Sequence, residues 1–159
     1  MRRARTGGFT LPELTAVLLL AAILATVALP RMLDRGGFAA RGAADFIASS
    51  MRYAQKSAIA MRRNVCVTVG TERLAISVAA DAGSAQPCAA ALADPATGWP
   101  FDSRPYDGGA TVATPATLVF DALGRPLASP GVALAAPLAL TVNGHAAPIR
   151  LEPETGYVH

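Results

Sequence analysis

Three regimes of hydrophobic spacing divide the chain. From Phe9 to Leu29 the residues are apolar almost without interruption, 21 positions in which Glu13 is the sole charge. At 1.5 Å rise per residue such a run makes roughly 31 Å of helix, the thickness of a bilayer core, and predicts one membrane crossing. Between Asp34 and Arg63 apolar residues return every three or four positions. Phe46, Ile47, Met51, Ala54, Ala58 and Ile59 mark one face, and Arg52, Gln55, Lys56 and Arg62 fall on others. That is the period of an amphipathic helix packed by one side. Gly36, Gly37 and Gly42 predict a weak junction between the two helical halves. After Asn64 the period drops to two. Val65, Val67 and Val69 alternate with Cys66 and Thr68; then, beyond Gly70-Thr71-Glu72, Leu74, Ile76 and Val78 alternate again, as in a hairpin. Runs at Thr117–Asp121, Leu138–Val142 and Pro148–Leu151 add strands, the last two joined around Asn143-Gly144. The expected fold class is α+β: a long N-terminal helix, transmembrane in its first half and amphipathic in its second, packed on an antiparallel β-sheet.

Charge refines the picture at the N-terminus. Arg2, Arg3 and Arg5 precede the apolar run, which by the positive-inside rule keeps the N-terminus in the cytoplasm and sends everything after Pro30 across the membrane. A secretory signal peptide shares the basic start and apolar middle, but here an acid opens the apolar segment and no clean A-x-A site closes it. A carboxylate in a membrane helix is costly, so Glu13 asks for a partner.

The junction Gly8-Phe9-Thr10-Leu11-Pro12-Glu13 resembles the cleavage and methylation signature of type IV prepilins and type II secretion pseudopilins. The resemblance implies that a prepilin peptidase cuts after Gly8 and methylates Phe9 as the new N-terminus. Glu13 then takes the place of the acid thought to pair with the N-terminal amine of a neighbouring subunit, setting register in a filament. Pro12, in the first turn, lacks only an N–H that has no helical partner anyway, and Pro30 falls where many pilins carry a helix-bending proline. The order of helix, hairpin, irregular loop and strands bearing Phe120-Asp121-Ala122-Leu123-Gly124-Arg125-Pro126 is similar to the H-type minor pseudopilin and FimT-type minor pilin domain. Arg52–Ala60, Asn64–Val67 and Glu154–His159 resemble the C-type minor pilins of mannose-sensitive haemagglutinin (MSHA) pili.

The implied organisation is a leader at 1–8, a transmembrane and assembly helix at 9–30, an amphipathic continuation at 31–63 and a globular β-rich periplasmic domain at 64–159. The implied location is the bacterial inner membrane, single pass, and then a pilus or pseudopilus. The implied partners are prepilin peptidase, other pilin or pseudopilin subunits and an inner-membrane assembly platform. The function implied is that of a minor subunit in an MSHA-like type IV pilus, in its initiation or tip complex. The alternatives are an H-type pseudopilin of a type II secretion system and a FimT-like DNA-binding minor pilin.

Composition limits these readings. The chain has 14 basic and 11 acidic residues, but three of the arginines lie in 1–8, so the part after Gly8 carries 11 of each. A formally neutral surface argues against a nucleic-acid partner, leaving only local clustering of Arg62, Arg63, Arg73, Arg125 and Arg150 to favour one. Cys66 and Cys88 are an even pair, and in an oxidising compartment they most simply form a disulfide. The segment from Asp94 to Gly109 is dense in Pro, Gly and aromatic residues and predicts an irregular loop in which Trp99 and Phe101 either cover the sheet or make external contacts. Asp94, Asp102 and Asp107 do not have the spacing of a calcium loop. No G-x-S-x-G turn, metal-binding histidine pair or cofactor motif occurs; His145 reads as a hairpin residue and His159 as a solvated one. The expectation is a non-enzymatic subunit without cofactor or metal.

Overall fold

The computed structural model describes residues 10–33, 35–83 and 87–159, with side chains described outside 27–35. The leader 1–8, the Gly8–Phe9 junction and the side chain of Pro30 therefore lie outside the described residues. The chain divides after Arg35 into two compact units, taken separately below. The first holds helix α1, Leu11–Leu33, with Glu13 in its first turn. Its start is bonded locally, Glu13 and Leu14 both donating their N–H to the Thr10 carbonyl at 3.1 Å.

The structure corrects one expectation. No helix among the described residues is long and apolar enough to cross a membrane, which overturns the single-pass inner-membrane location with a cytoplasmic N-terminus and periplasmic domain. Helix α1 starts at Leu11 rather than Phe9, and Glu13 and Arg31 both lie within its span. The uncharged stretch between them is roughly 17 residues, about 25 Å at the helical rise and short of the ~30 Å hydrocarbon core.

The second unit is α+β. Helix α2, Arg35–Met61, runs through Gly36, Gly37 and Gly42, and the expected weak junction falls at its start, where the two compact units divide between Arg35 and Gly36. Its buried apolar positions are Ala40, Ala43, Ala44, Ile47, Met51, Ala54 and Ala58, one stripe at three- and four-residue spacing. Five of these seven are alanine, and Ile47 and Met51 supply most of the volume that the stripe adds to the core. The sheet runs β3-β2-β1-β5-β6-β7, built from β1 (Val65–Val69), β2 (Arg73–Ala79), β3 (Cys88–Ala91), β5 (Ala116–Phe120), β6 (Pro126–Ser129) and β7 (Val132–Ala133). A short β4, Arg104–Pro105, also pairs with β2. All these pairings are antiparallel. In β1 the residues Val65, Val67 and Val69 face the core, flanked by Leu74 and Ile76 of β2 and Leu118 and Phe120 of β5. A second sheet of β8 (Leu138–Leu140) and β9 (Ile149–Leu151) adds Leu140, Ile149 and Leu151 to the same core.

The last residues are clamped rather than free. Val158 is buried and bridges to Leu151, while the backbone groups of His159 and Arg150 bond each other at 2.7 and 3.0 Å. Two α2 side chains hold this segment: Arg52 donates to the Val158 carbonyl at 3.0 Å, and the Gln55 amide donates to the Gly124 and Thr155 carbonyls at 2.9 Å each. Gly156, at φ 67°, is required there because a Cβ would stand 2.6 Å from the Gly124 carbonyl oxygen.

Helix α2 ends on a Schellman turn whose left-handed residue is not glycine. Arg62 has φ 52°, its N–H reaches the Ile59 carbonyl at 3.4 Å, and the N–H of Arg63 reaches that of Ala58 at 3.2 Å. Glycine is the usual occupant of this position, because a Cβ in the left-handed region costs about 1–2 kcal/mol. The expected outcome for Arg62→Gly is a gain of about 0.5–1 kcal/mol in unfolding free energy, read as a higher urea midpoint with unchanged slope.

Candidate functional site

Helix α1 combines features that a single folded chain does not ordinarily leave uncovered. Its large side chains are exposed along the described length, from 53% at Val17 to 78% at Leu11, with Leu14, Leu18, Leu19, Leu20, Ile23 and Leu24 between. Glu13 is exposed among them and meets no cation among the described residues. Locally the acid is well placed, since the first turn of a helix favours negative charge. The aliphatic surface around it has no such local reason, and exposed apolar patches of this extent are uncommon on a solitary chain. Gly8 and Phe9, the expected cleavage and methylation positions, lie outside the described residues.

Cys66 and Cys88 form the disulfide expected of them, with Cα atoms 6.0 Å apart and 22 residues of separation. The bridge ties β1 to β3, which flank β2 on either side. A loop of this length contributes about 3 kcal/mol in the chain-entropy account. It serves the body's stability, since the strand it fastens, β3, brings only short side chains to the sheet.

Three of the candidate arginines, Arg63, Arg73 and Arg125, are separated or paired. In the β1–β2 hairpin Val65 pairs with Val78 and Val69 with Leu74, so Arg63 and Arg73 stand at opposite ends of the strands. A five-residue strand separates them by about 13 Å or more. Arg125 is neutralised by Asp121, Nη2 to Oδ2 at 2.8 Å, and Arg52 is spent on Val158. His145 is half-buried, its N–H donating to the Val142 carbonyl at 3.1 Å, and His159 is exposed, its ring stacked on Tyr157 at 5.2 Å.

The irregular segment splits its aromatics between the two roles expected. Trp99 is 75% exposed, whereas Phe101 and Tyr106 are buried. Phe101 stacks on Phe46 of α2 at 5.9 Å with an interplanar angle of 11°, Tyr106 meets the same ring edge-on at 6.4 Å, and the Arg104 guanidinium lies 5.4 Å from its centroid. Asp94 organises the turn. It is buried, accepts from the Ala96 N–H at 2.9 Å and the Thr97 hydroxyl at 3.1 Å, and pairs with Arg104. Asp94, Asp102 and Asp107 do not converge, and among the described residues no group of three or more His, Cys, Asp or Glu side chains is placed to hold a metal ion. Between this loop and α2 lies a half-open hollow of about 240 Å³, walled by Phe46, Tyr53, Phe101 and Pro95 with Ser49 and Ser50 at its α2 side. The sequence pattern hid it, because Phe46 reads as an ordinary member of the α2 stripe and the loop that closes the hollow has no period.

No family model, curated protein or solved structure matches this chain.

Tyr106 fastens the loop to the hairpin, its hydroxyl donating to the Gly70 and Arg73 carbonyls at 3.0 and 3.1 Å. Burial favours the neutral phenol and pushes its pKa from 10.0 up to about 12. The folded value lies above the unfolded one, so the stabilisation is intact below about pH 10 and is lost as pH rises toward about 12. At about pH 8 Tyr106→Phe is expected to cost about 1–3 kcal/mol from the lost bonds. In urea unfolding across this range, wild type should lose stability above about pH 10 more steeply than the variant, so that the gap closes; a gap independent of pH contradicts the assignment.

Proposed function

We propose that this chain is a minor subunit of a type IV pilin-like filament, most similar in kind to the MSHA pilus, and that it works by assembly rather than catalysis. Prepilin peptidase cuts after Gly8 and methylates Phe9. Helix α1 then packs against the corresponding helices of neighbouring pilin or pseudopilin subunits, and the α+β body, read as the globular domain of the pilin-like fold, sets its place in the initiation or tip complex.

One observation carries this reading: a helix apolar on every described face, uncovered by its own chain, with a single acid in its first turn. Other helices of like character can bury that surface, and a carboxylate enclosed among them needs a cation, because an unpaired buried charge is strongly destabilising. The amine created by cleavage at Phe9 of an adjacent subunit supplies such a cation at the matching position, four residues from Glu13. An H-type subunit of a type II secretion system uses the same geometry, and its associated subunits are what distinguish it. The DNA-binding alternative is disfavoured by the separation of Arg63 from Arg73 and by the Arg125–Asp121 pair.

The expected result of mass spectrometry on the protein from its native cell is an N-terminus at N-methylated Phe9, together with copurifying pilin-type subunits. A chain that keeps residues 1–8 in its working form overturns the proposal.

A further inference from the structure

We propose that the hollow between α2 and the loop 92–104 is a binding pocket for a neutral aromatic ring bearing one N–H or O–H group, of the phenol or indole class. The inference is independent of the filament reading, since every wall belongs to the body.

Size, lining and charge each restrict the occupant. A cavity of about 150 Å³ admits benzene, so about 240 Å³ takes one ring with a substituent or a fused pair. The walls present the Phe46 and Phe101 rings and Tyr53, surfaces on which another ring packs offset or edge-on. The two wall charges are already answered: Asp94 holds Arg104, Thr97 and the Ala96 N–H, and Arg104 also lies against Phe46. The charges on the wall already face each other, so a neutral guest fits without giving up a charge pair.

Ser50 supplies the polar anchor. The residue is only 5% exposed and lines the hollow, yet its hydroxyl takes no hydrogen bond among the described residues. The neighbouring Ser49 behaves differently, its hydroxyl turned back on the Phe46 carbonyl at 2.9 Å. No buried side-chain polar atom among the described residues is left unsatisfied, so the Ser50 oxygen keeps contact with the open space of the hollow. The α2 stripe uses alanine on either side of it, at Ala43, Ala44, Ala54 and Ala58, and packing alone gives no reason for a hydroxyl here. Tyr53 does not compete for it, because its own hydroxyl donates to the Ala93 carbonyl at 2.7 Å. A ring donor placed against Phe46 therefore meets an acceptor with no other demand on it.

Such a ring arrives either as a free molecule or as a tyrosine or tryptophan side chain presented by another chain. Calorimetric titration of the full-length protein with p-cresol, indole, N-acetyl-tyrosinamide and benzoate tests the pocket and separates the sources. The expected result is a Kd of about 1 mM or tighter for p-cresol or indole and at least tenfold weaker binding of benzoate. Ser50→Ala should weaken binding severalfold. Ser49→Trp, at an exposed rim position where a larger side chain fills the mouth without entering the core, should abolish it while the far-ultraviolet circular dichroism stays unchanged. N-acetyl-tyrosinamide binding as well as p-cresol supports a side chain as the natural occupant, and binding of the free rings alone supports a small molecule. No binding of any ring at about 10 mM, benzoate binding as tightly as p-cresol, or binding undiminished in Ser49→Trp overturns the proposal.

Discussion

The burial of one α2 stripe in the same core as the sheet is the constraint on which the rest of the body depends. The buried apolar stripe of α2 shares one core with β1, β2 and β5, and side chains flanking it bond backbone of the loops and the C-terminal segment. Arg52 and Gln55 then hold the C-terminal segment, Tyr53 holds the loop at Ala93, and Phe46 becomes the ring around which Phe101, Tyr106 and Arg104 gather. A larger residue at Ala54 or Ala58 would lift the helix and loosen these contacts together, since a packed interior cannot absorb added volume locally.

The body and the N-terminal helix differ in how completely they satisfy themselves. Within the described body the buried carboxylates Asp94 and Asp121 are both paired, with Arg104 and Arg125, and the cysteines are joined. Helix α1 instead leaves aliphatic side chains exposed and an acid without a cation among the described residues. That contrast supports an assembly role. Under the proposed assembly role, the body would carry identity and position and the exposed helix would join other subunits.

Legibility followed side-chain size and period. The α2 stripe and the β1–β2 hairpin were readable because Ile, Met and Val mark their buried faces with a clear repeat. Strand β3 was not, because Cys88-Ala89-Ala90-Ala91 has no alternation, and β4 and β6 hold proline where a strand pattern discourages it. The glycines were readable as a weak junction, and the division between the two compact units falls between Arg35 and Gly36, although α2 itself continues through Gly36, Gly37 and Gly42. The membrane span was read by counting apolar letters from Phe9 to Leu29, whereas helix α1 begins at Leu11 and no described helix is long and apolar enough to cross a membrane. Of the candidate site, the acid of Glu13 and the cysteine pair stood out by residue type. The separation of Arg63 from Arg73 and the hollow at Ser50 depend on strand pairing and loop path, which no local pattern encodes.

The central claim is that Glu13 on the apolar α1 surface is an intersubunit contact. The most direct measurement is the share of the protein recovered in the sheared filament fraction for wild type, Glu13→Asp and Glu13→Ala at equal total abundance. The account predicts that Glu13→Ala falls at least about tenfold, the scale of losing one enclosed charge pair, and that Glu13→Asp is intermediate. Equal recovery of Glu13→Ala and wild type would contradict it.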